Sequence, residues 1–298
     1  MSKKAMVILN PNAGQEKAPD YKKQLNEELS TNYSTVDLRE TCGEGDATNW
    51  AQEAGEKDYD LVVAVGGDGT VNETINGLAL LEDPPLLAIV PMGTVNDLAQ
   101  ALEIPLEAEA AIPLITAGQV KEIDLGQAND HYFTNFLVIG PASQAIHDVP
   151  SEEKTKRGPL AYFIEAGKRL TEEDRFDVHI SLVEEEWEGE AALVIVALID
   201  SLGGLDSVLT DATIGDGEFL VLVIEKFTLG QLINMTPKML AGRINDSENV
   251  HSFKSTELSI QNLSSKIIPS DLDGEEGPDL PIKFKLFPRK IKVLSNLH

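Results

Sequence analysis

LVVAVGGDGTVNETINGL, Leu61 to Leu78, is the stretch on which the reading of this 298-residue chain turns. Five apolar residues, three of them valine, run into Gly66-Gly67-Asp68-Gly69, and a helix-like stretch follows. Such a run reads as a buried strand, and the glycines that end it free backbone N–H groups to face an anion. The next helix brings the positive end of its dipole to the same place. A polyphosphate suits that arrangement. Asp68 does not suit a bare anion, because its carboxylate repels phosphate unless a Mg²⁺ ion or a water lies between. The loop is therefore expected to handle a metal nucleotide, with a plain glycine-rich turn as the alternative.

Outward from this loop, strand and helix signals alternate. AMVILN (5–10) leads into Asn10-Pro11-Asn12-Ala13-Gly14, and Ala18, Tyr21, Leu25 and Leu29 follow at helical spacings. STVDLRET (34–41) is a second strand, and a helix opens at Asp46, expected as its N-cap. The glycine loop feeds a helix over Val71–Leu81. LLAIV (86–90) is a fourth strand, with helices expected over Thr94–Leu102 and Leu106–Ala117 and a kink at Pro113. Short strands separated by helices predict a parallel sheet with helices on both faces, which binds ligands at the carboxyl ends of its strands.

Beyond about residue 120 the pattern changes. VKEIDLGQ, HYFTNFLVIG, RFDVHISLV, EGEAALVIVALI, GEFLVLVI, ELSIQNL and IKFKLF are strand-like, and only Pro159–Leu170 and Leu229–Leu240 look helical. The expected architecture is an α/β nucleotide-binding domain over residues 1–122 and a mainly antiparallel, β-sandwich-like domain over 123–287. The last stretch, about 288–298, is expected to rejoin the first domain through IKVL.

Composition narrows the function. A net charge of −26 disfavours nucleic acid and electrostatic adhesion to anionic lipid. Lys154, Lys156, Arg157, Lys168, Arg169 and Arg175 gather locally, and read as a solvated helix face before a docking patch. No apolar run approaches the roughly 20 residues of a spanning helix, and no signal peptide is visible. Cys42, the one cysteine, excludes an internal disulfide or a thiolate zinc cluster and reads as inert and half-buried. A cytoplasmic protein is expected.

Two further segments carry chemistry in the first domain. Asn10-Pro11-Asn12-Ala13-Gly14 combines residues that tolerate left-handed backbone with a glycine that permits close approach to a nucleotide. Pro91-Met92-Gly93-Thr94-Val95-Asn96-Asp97 repeats the order strand, glycine, helix, with Thr94 and Asp97 spaced as a capping box. Gly93 and Asn96 suit a second wall around the same nucleotide. Thr70 can cap the helix or touch phosphate, and Glu73 reads equally as a dipole partner or a functional carboxylate.

GGDGTVNETINGL and PMGTVNDLA, with NPNAG ahead of them, resemble the diacylglycerol kinase catalytic family in its bacterial lipid-kinase branch. GGLDSVLTDATIGDGEF and DLDGEEG are similar to late motifs of the same family, so the resemblance covers nearly the whole chain. It implies a kinase in which ATP and a lipid headgroup meet in a cleft between two domains. Asn10, Thr41, Gly66, Gly67, Asp68, Gly69, Thr70, Val71, Asn72, Gly93 and Thr94 would contact ATP, and Asp68 would organise Mg²⁺ through water. Asp273 would be the general base, with Glu275 sharing the metal–water network and Asp271 the residue most easily confused with it. A structural Mg²⁺ would map to Thr213, Asp216 and Glu218. The implied partner is a neutral lipid at the inner face of a membrane, met transiently, and a homodimer is left open.

One departure concerns the acceptor. Asn135 is kept, but FLVIGPASQ is bulkier than the glycine-rich stretch the family places there, with Pro141-Ala142 after Gly140. Two other classes remain, a soluble-metabolite kinase of the NAD kinase kind and a nucleotide-binding module without catalysis.

Overall fold

The computed structural model describes residues 3–141, 143, 175–200, 209, 211–225, 238, 243, 244 and 247–297. The chain divides into two compact units, Met1–Leu125 with Arg289–His298, and Gly126–Pro288.

In the first unit, β1 (Lys4–Leu9), β2 (Thr35–Glu40), β3 (Leu61–Gly66) and β4 (Leu86–Pro91) form a parallel sheet in the order β2-β1-β3-β4. β3 is buried along its whole length, as its unbroken apolar run requires of a central parallel strand. Between the strands lie a turn α1 (Ala13–Glu16), α2 (Lys22–Leu29), α3 (Asp46–Glu56) and α4 (Asp68–Ala79). After β4 come three short helices, α5 (Asp97–Ala101), α6 (Ala108–Ala111) and α7 (Leu114–Ala117). Leu25 and Leu29 of α2 share a core with Val7, Leu9, Val63, Val65 and Ile112.

Three local expectations change. α4 begins at Asp68 rather than Val71, so the glycine loop is shorter than its sequence suggests. The stretch from Leu106 to Ala117 is two single turns, with Pro113 as the N-cap of the second; its fixed φ starts a turn instead of kinking a helix. Asp46 lies inside α3. Gly45 is the N-cap in a left-handed conformation, and Asp46 Oδ2 reaches back to accept the N–H groups of Cys42 and Gly43.

The second unit is mainly antiparallel. β5 (Gln119–Ala128) leads into it and is followed by β6 (His131–Phe133), β7 (Phe136–Ile139), β8 (Phe176–Leu182) and β9 (Glu186–Ala191). The later strands are β10 (Leu193–Ala197), β11 (Phe219–Ile224), β12 (Val250–Ser255), β13 (Glu257–Asn262), β14 (Ser270–Leu272), β15 (Glu275–Glu276) and β16 (Ile282–Ser295). One sheet has the order β12-β11-β10-β7-β14-β15, and the other places β13 between β16 and β8, with β9 at the edge. Phe133, Phe219 and Phe284 meet between the layers with ring centroids 5.9–6.3 Å apart. Edge-to-face and offset contacts of this kind hold a sandwich core beyond the area they bury.

Two continuous strand-like runs are each cut in two. HYFTNFLVIG breaks at Thr134-Asn135, and EGEAALVIVALI breaks at Ala192. The end of β16 pairs in parallel with β4 through Val293 and Leu87, so the C-terminal residues belong to the first unit. The segments Pro159–Leu170 and Leu229–Leu240, and the basic residues from Lys154 to Arg169, lie outside the described residues apart from Lys238. Among the described residues no helix is long and apolar enough to cross a membrane.

Candidate nucleotide site

The loops that leave β1, β3 and β4 converge at the carboxyl end of the parallel sheet. Gly67 and Gly93 lie back to back. A Cβ on Gly67 would stand 3.0 Å from the Cα of Gly93, and one on Gly93 would stand 2.7 Å from the Cα of Gly67. Only glycine at both positions permits this approach. Backbone hydrogen bonds continue the sheet into the loops: Met92 N–H donates to Gly66 O at 2.8 Å, and Gly14 N–H donates to Met92 O at 2.9 Å.

Asp68 joins the same two loops. Its Oδ2 accepts the N–H of Asn96 and its Oδ1 accepts that of Asp97, both at 2.9 Å. These are the first N–H groups of α5, which intrahelical bonding leaves without partners. The capping box expected from Thr94 and Asp97 is not formed, because Asp68 from the neighbouring loop takes its place. Asn96, in left-handed conformation, closes the turn reciprocally: its Oδ1 accepts Gly93 N–H at 2.9 Å and its Nδ2 donates to Gly93 O at 3.0 Å.

Asn10 holds the first loop to the second. Its Oδ1 accepts Asn12 N–H, and its Nδ2 donates to Thr70 Oγ1 at 3.2 Å. The result is a cavity of about 600 Å³ lined by Asn10, Gly14, Lys17, Gly67, Thr70 and Thr94 among others. Among the described residues no carboxylate lines it, in a chain with 50 acids, and Lys17 is the one charged side chain of that lining. Lys17 was not legible beforehand. It follows a stretch, Gly14-Gln15-Glu16, in which all three residues have positive φ, and nothing in the sequence announces that turn.

A second cavity of about 280 Å³ shares Asn10, Asn12 and Thr70 with the first and adds Thr41, Cys42, Gly43, Glu44, Ala47 and Glu73. Glu73 acquires a definite role here. Its Oε2 accepts the N–H groups of Gly45 and Ala47 at 3.0 and 3.2 Å, capping α3 from the body of α4. Cys42 is exposed rather than half-buried, in the loop before α3 whose N–H groups Asp46 accepts.

Among the residues expected at the nucleotide, Asn10, Thr41, Gly67, Gly69, Thr70, Gly93 and Thr94 line one or both cavities. Four expected residues do not. Gly66 supplies a backbone acceptor behind the wall, and Asp68 bridges the loops. Val71 is turned into the core with its N–H donated to Gly67 O. Asn72 accepts the side-chain amide of Asn76.

In the second unit, Asp273 and Gly274 form the two-residue loop between β14 and β15, with φ of 51° and 90°. Asp-Gly with both residues left-handed is the preferred chemistry of a tight hairpin. The Asp273 carboxylate accepts three backbone N–H groups, from Thr134 to Oδ2 and from Asn135 and Phe136 to Oδ1, at 2.9–3.1 Å. This accounts for the break between β6 and β7. Asp273 is 7% exposed, whereas Glu275 is exposed. Asp271, fully buried, accepts Gly274 N–H and so supports the turn.

Thr213, Asp216 and Glu218 fall in one tight turn. Asp216 N–H donates to Thr213 O, Asp216 Oδ1 accepts Glu218 N–H, and Lys254 Nζ stands 3.4 Å from Asp216 Oδ2 and 3.7 Å from Glu218 Oε2. Among the described residues no cluster of three or more His, Cys, Asp or Glu side chains forms a metal site.

The role of Asp68 as a strap has a measurable consequence. Asp68→Ala should lower unfolding stability by about 2 kcal/mol without nucleotide or Mg²⁺, as expected when charge-assisted bonds to helix N–H groups are lost. Chemical denaturation of the ligand-free variant checks this, and unchanged stability would leave Asp68 with a metal role alone.

A family model for the diacylglycerol kinase catalytic domain matches residues 4–128. A second, described as a YegS C-terminal NAD kinase β-sandwich-like domain, matches residues 140–295. The chain is 37% identical over 299 residues to a diacylglycerol kinase of Bacillus subtilis, covering 98% of this chain and 96% of that one. It is 34% identical over 302 residues to one of Staphylococcus saprophyticus, covering 99% and 96%. A crystal structure of a diacylglycerol kinase from Bacillus anthracis superimposes with a TM-score of 0.83 at 31% identity, over 99% of this chain and 97% of that one. With both units matched and full-length relatives above 30% identity, the chain belongs to the diacylglycerol kinase family.

Proposed function

We propose that this lipid kinase transfers the γ-phosphoryl group of ATP, in a Mg²⁺-dependent reaction, to the hydroxyl of a neutral lipid. Diacylglycerol, giving phosphatidate, is the first candidate acceptor. The observation that carries the donor half is the glycine-walled cavity without a carboxylate and with Lys17 at its edge. Backbone amides and one ammonium suit a polyphosphate, and an acid-free lining matters most in a protein of net charge −26. The acceptor half rests on the family, whose relatives are named diacylglycerol kinases.

In the proposed reaction a bond forms between the acceptor oxygen and the γ-phosphorus, and the bond to the bridging β,γ oxygen breaks. The hydroxyl proton passes to a carboxylate, for which Asp273 is the candidate. Three amide donors fix the direction of that carboxylate. A loose phosphoryl-transfer transition state asks for positioning of the hydroxyl more than for a strong base. Glu275, exposed two residues on, is proposed to support the same water network. Bound Mg²⁺ would offset phosphate charge. Asp68 suits water-mediated contact with it, since each carboxylate oxygen has spent one acceptor site on an amide. Docking to the membrane would be peripheral.

A panel of diacylglycerol, other neutral lipids and soluble acceptors, assayed with ATP and Mg²⁺ in mixed micelles, tests the proposal. Turnover is expected on a lipid hydroxyl; turnover confined to a soluble metabolite, or nucleotide-dependent thermal stabilisation with no transfer to any acceptor, would overturn it. Asp273→Asn and Glu275→Gln separate the two carboxylates. Asp273→Asn should lower kcat by about 10³-fold or more, with a smaller loss for Glu275→Gln and little change in ATP affinity for either. Equal activity of Asp273→Asn and parent removes Asp273 as base.

Lys17→Met should weaken ATP binding about tenfold and leave the apparent affinity for the acceptor unchanged, as read from the two KM values. An unaltered ATP KM would place the phosphates away from Lys17.

For the turn at Asp216, the donors are carbonyl and carboxylate oxygens, which fit a hard divalent cation, with Lys254 as a competitor for the same carboxylate. Thr213, Asp216 and Glu218 are proposed to hold a structural Mg²⁺ there. The midpoint of thermal unfolding should fall on chelation in the parent protein and not in Asp216→Ala. A parent insensitive to chelator would remove this metal.

A further inference from the structure

We infer that the loop between β13 and β14, Leu263 to Pro269, is the tip by which the protein enters a lipid surface. The inference rests on the lipid-acceptor reading above and adds where the molecule meets its substrate's bilayer. Ile267 is 88% exposed, the most exposed of the large apolar residues described, and Leu263 in the same loop is 50% exposed. Soluble proteins scatter single exposed apolar residues, but two on one short loop are less readily dismissed.

The local sequence is also free of acids. From Ser259 to Ser270 there is no Asp or Glu, in a chain where 50 of 298 residues are acids. The single charge in that interval is Lys266, exposed beside Ile267. A protein of net charge −26 is repelled from an anionic membrane over most of its surface. An acid-free tip with two apolar side chains and one lysine adds nothing of its own to that repulsion. The lysine stem can lie along the apolar boundary with its ammonium at the headgroups. Beside the tip, Arg175 pairs with Glu190, and Asp177 offers its carbonyl to Leu263 N–H at 2.8 Å.

The backbone of the tip is also prepared for a less polar medium. Asn262 Nδ2 donates to Lys266 O at 2.6 Å, and Asn262 Oδ1 accepts both the N–H and the hydroxyl of Ser264. Ser264 Oγ in turn accepts Lys266 N–H. Polar groups paired within the loop cost less to move out of water than groups that must surrender hydration. Ile268, 4% exposed, anchors the loop in the sandwich core, and Pro269 O accepts Gly140 N–H at 3.0 Å. The tip is thus a braced loop that presents Ile267 to solvent.

Vesicle flotation of the full chain tests this, using phosphatidylcholine alone and phosphatidylcholine mixed with phosphatidylglycerol. Ile267→Glu should weaken binding to both about tenfold or more, while Lys266→Gln should weaken binding only to the anionic vesicles. Ile267 lies outside the core, so the thermal midpoint of Ile267→Glu should match the parent. Its turnover on a dispersed short-chain diacylglycerol should be unchanged, and turnover on vesicle-borne diacylglycerol should fall with binding. If Ile267→Glu floats like the parent, the tip is not the docking element, although the lipid-kinase reading stands should the parent phosphorylate diacylglycerol. If the parent phosphorylates no lipid but Ile267→Glu still loses flotation, the tip stands and the acceptor reading fails. A parent dimer that Ile267→Glu dissolves, with flotation unaltered, would assign the tip to a second copy of the chain and overturn the proposal.

Discussion

Two glycines touching back to back set the geometry of the candidate nucleotide site. Gly67 and Gly93 belong to loops leaving adjacent parallel strands, and any side chain at either position would collide with the backbone of the other. Contact this close lets the Asp68 carboxylate span from one loop to the buried N–H groups of Asn96 and Asp97 in the next. Once those N–H groups are satisfied, a five-residue helix can start beside the site without a cap of its own. Asn10 and Thr70 then complete the wall from the other side.

Capping by a neighbour is the common device here. Asp68 caps α5 from the first residue of α4, and Glu73 of the same helix caps α3. In the second unit Asp273 performs the same service for the three N–H groups left open where β6 gives way to β7. Each carboxylate is placed where backbone N–H groups would otherwise lack partners, so each contributes to folding whatever its part in the chemistry. Where such a residue is also proposed to act in the reaction, substitution would mix structural with catalytic effects.

Charge is distributed with similar economy. The net −26 is kept off the lining of the larger cavity and off the interval Ser259–Ser270. The proposed ligands, a polyphosphate and an anionic lipid surface, are both anions, and each would be met by a part of the molecule poor in carboxylates.

Much of the fold was legible in the sequence because it rests on local periodicity. An unbroken apolar run ending in glycines specifies a buried strand and a loop, and two such loops with an Asn-Pro turn identify the family. Alternation in Phe176, Val178 and Ile180 likewise marks β8 as a strand with one buried face. The run EGEAALVIVALI showed no break, since hydrophobicity continues through Ala192, and the polar pair Thr134-Asn135 in HYFTNFLVIG is too short to mark one, while the hydrogen bonding changes at both. The roles of Asp68, Glu73 and Asp273 were hidden for a related reason. Their partners lie 28, 26 and 138 residues away, in Asn96, Ala47 and Asn135. Periodicity is a property of neighbours along the chain, and it determined the strands, the glycine loops and their order by itself. A hydrogen bond depends on which groups the folded chain brings within about 3 Å, so only the tertiary structure decided which N–H groups each carboxylate would hold.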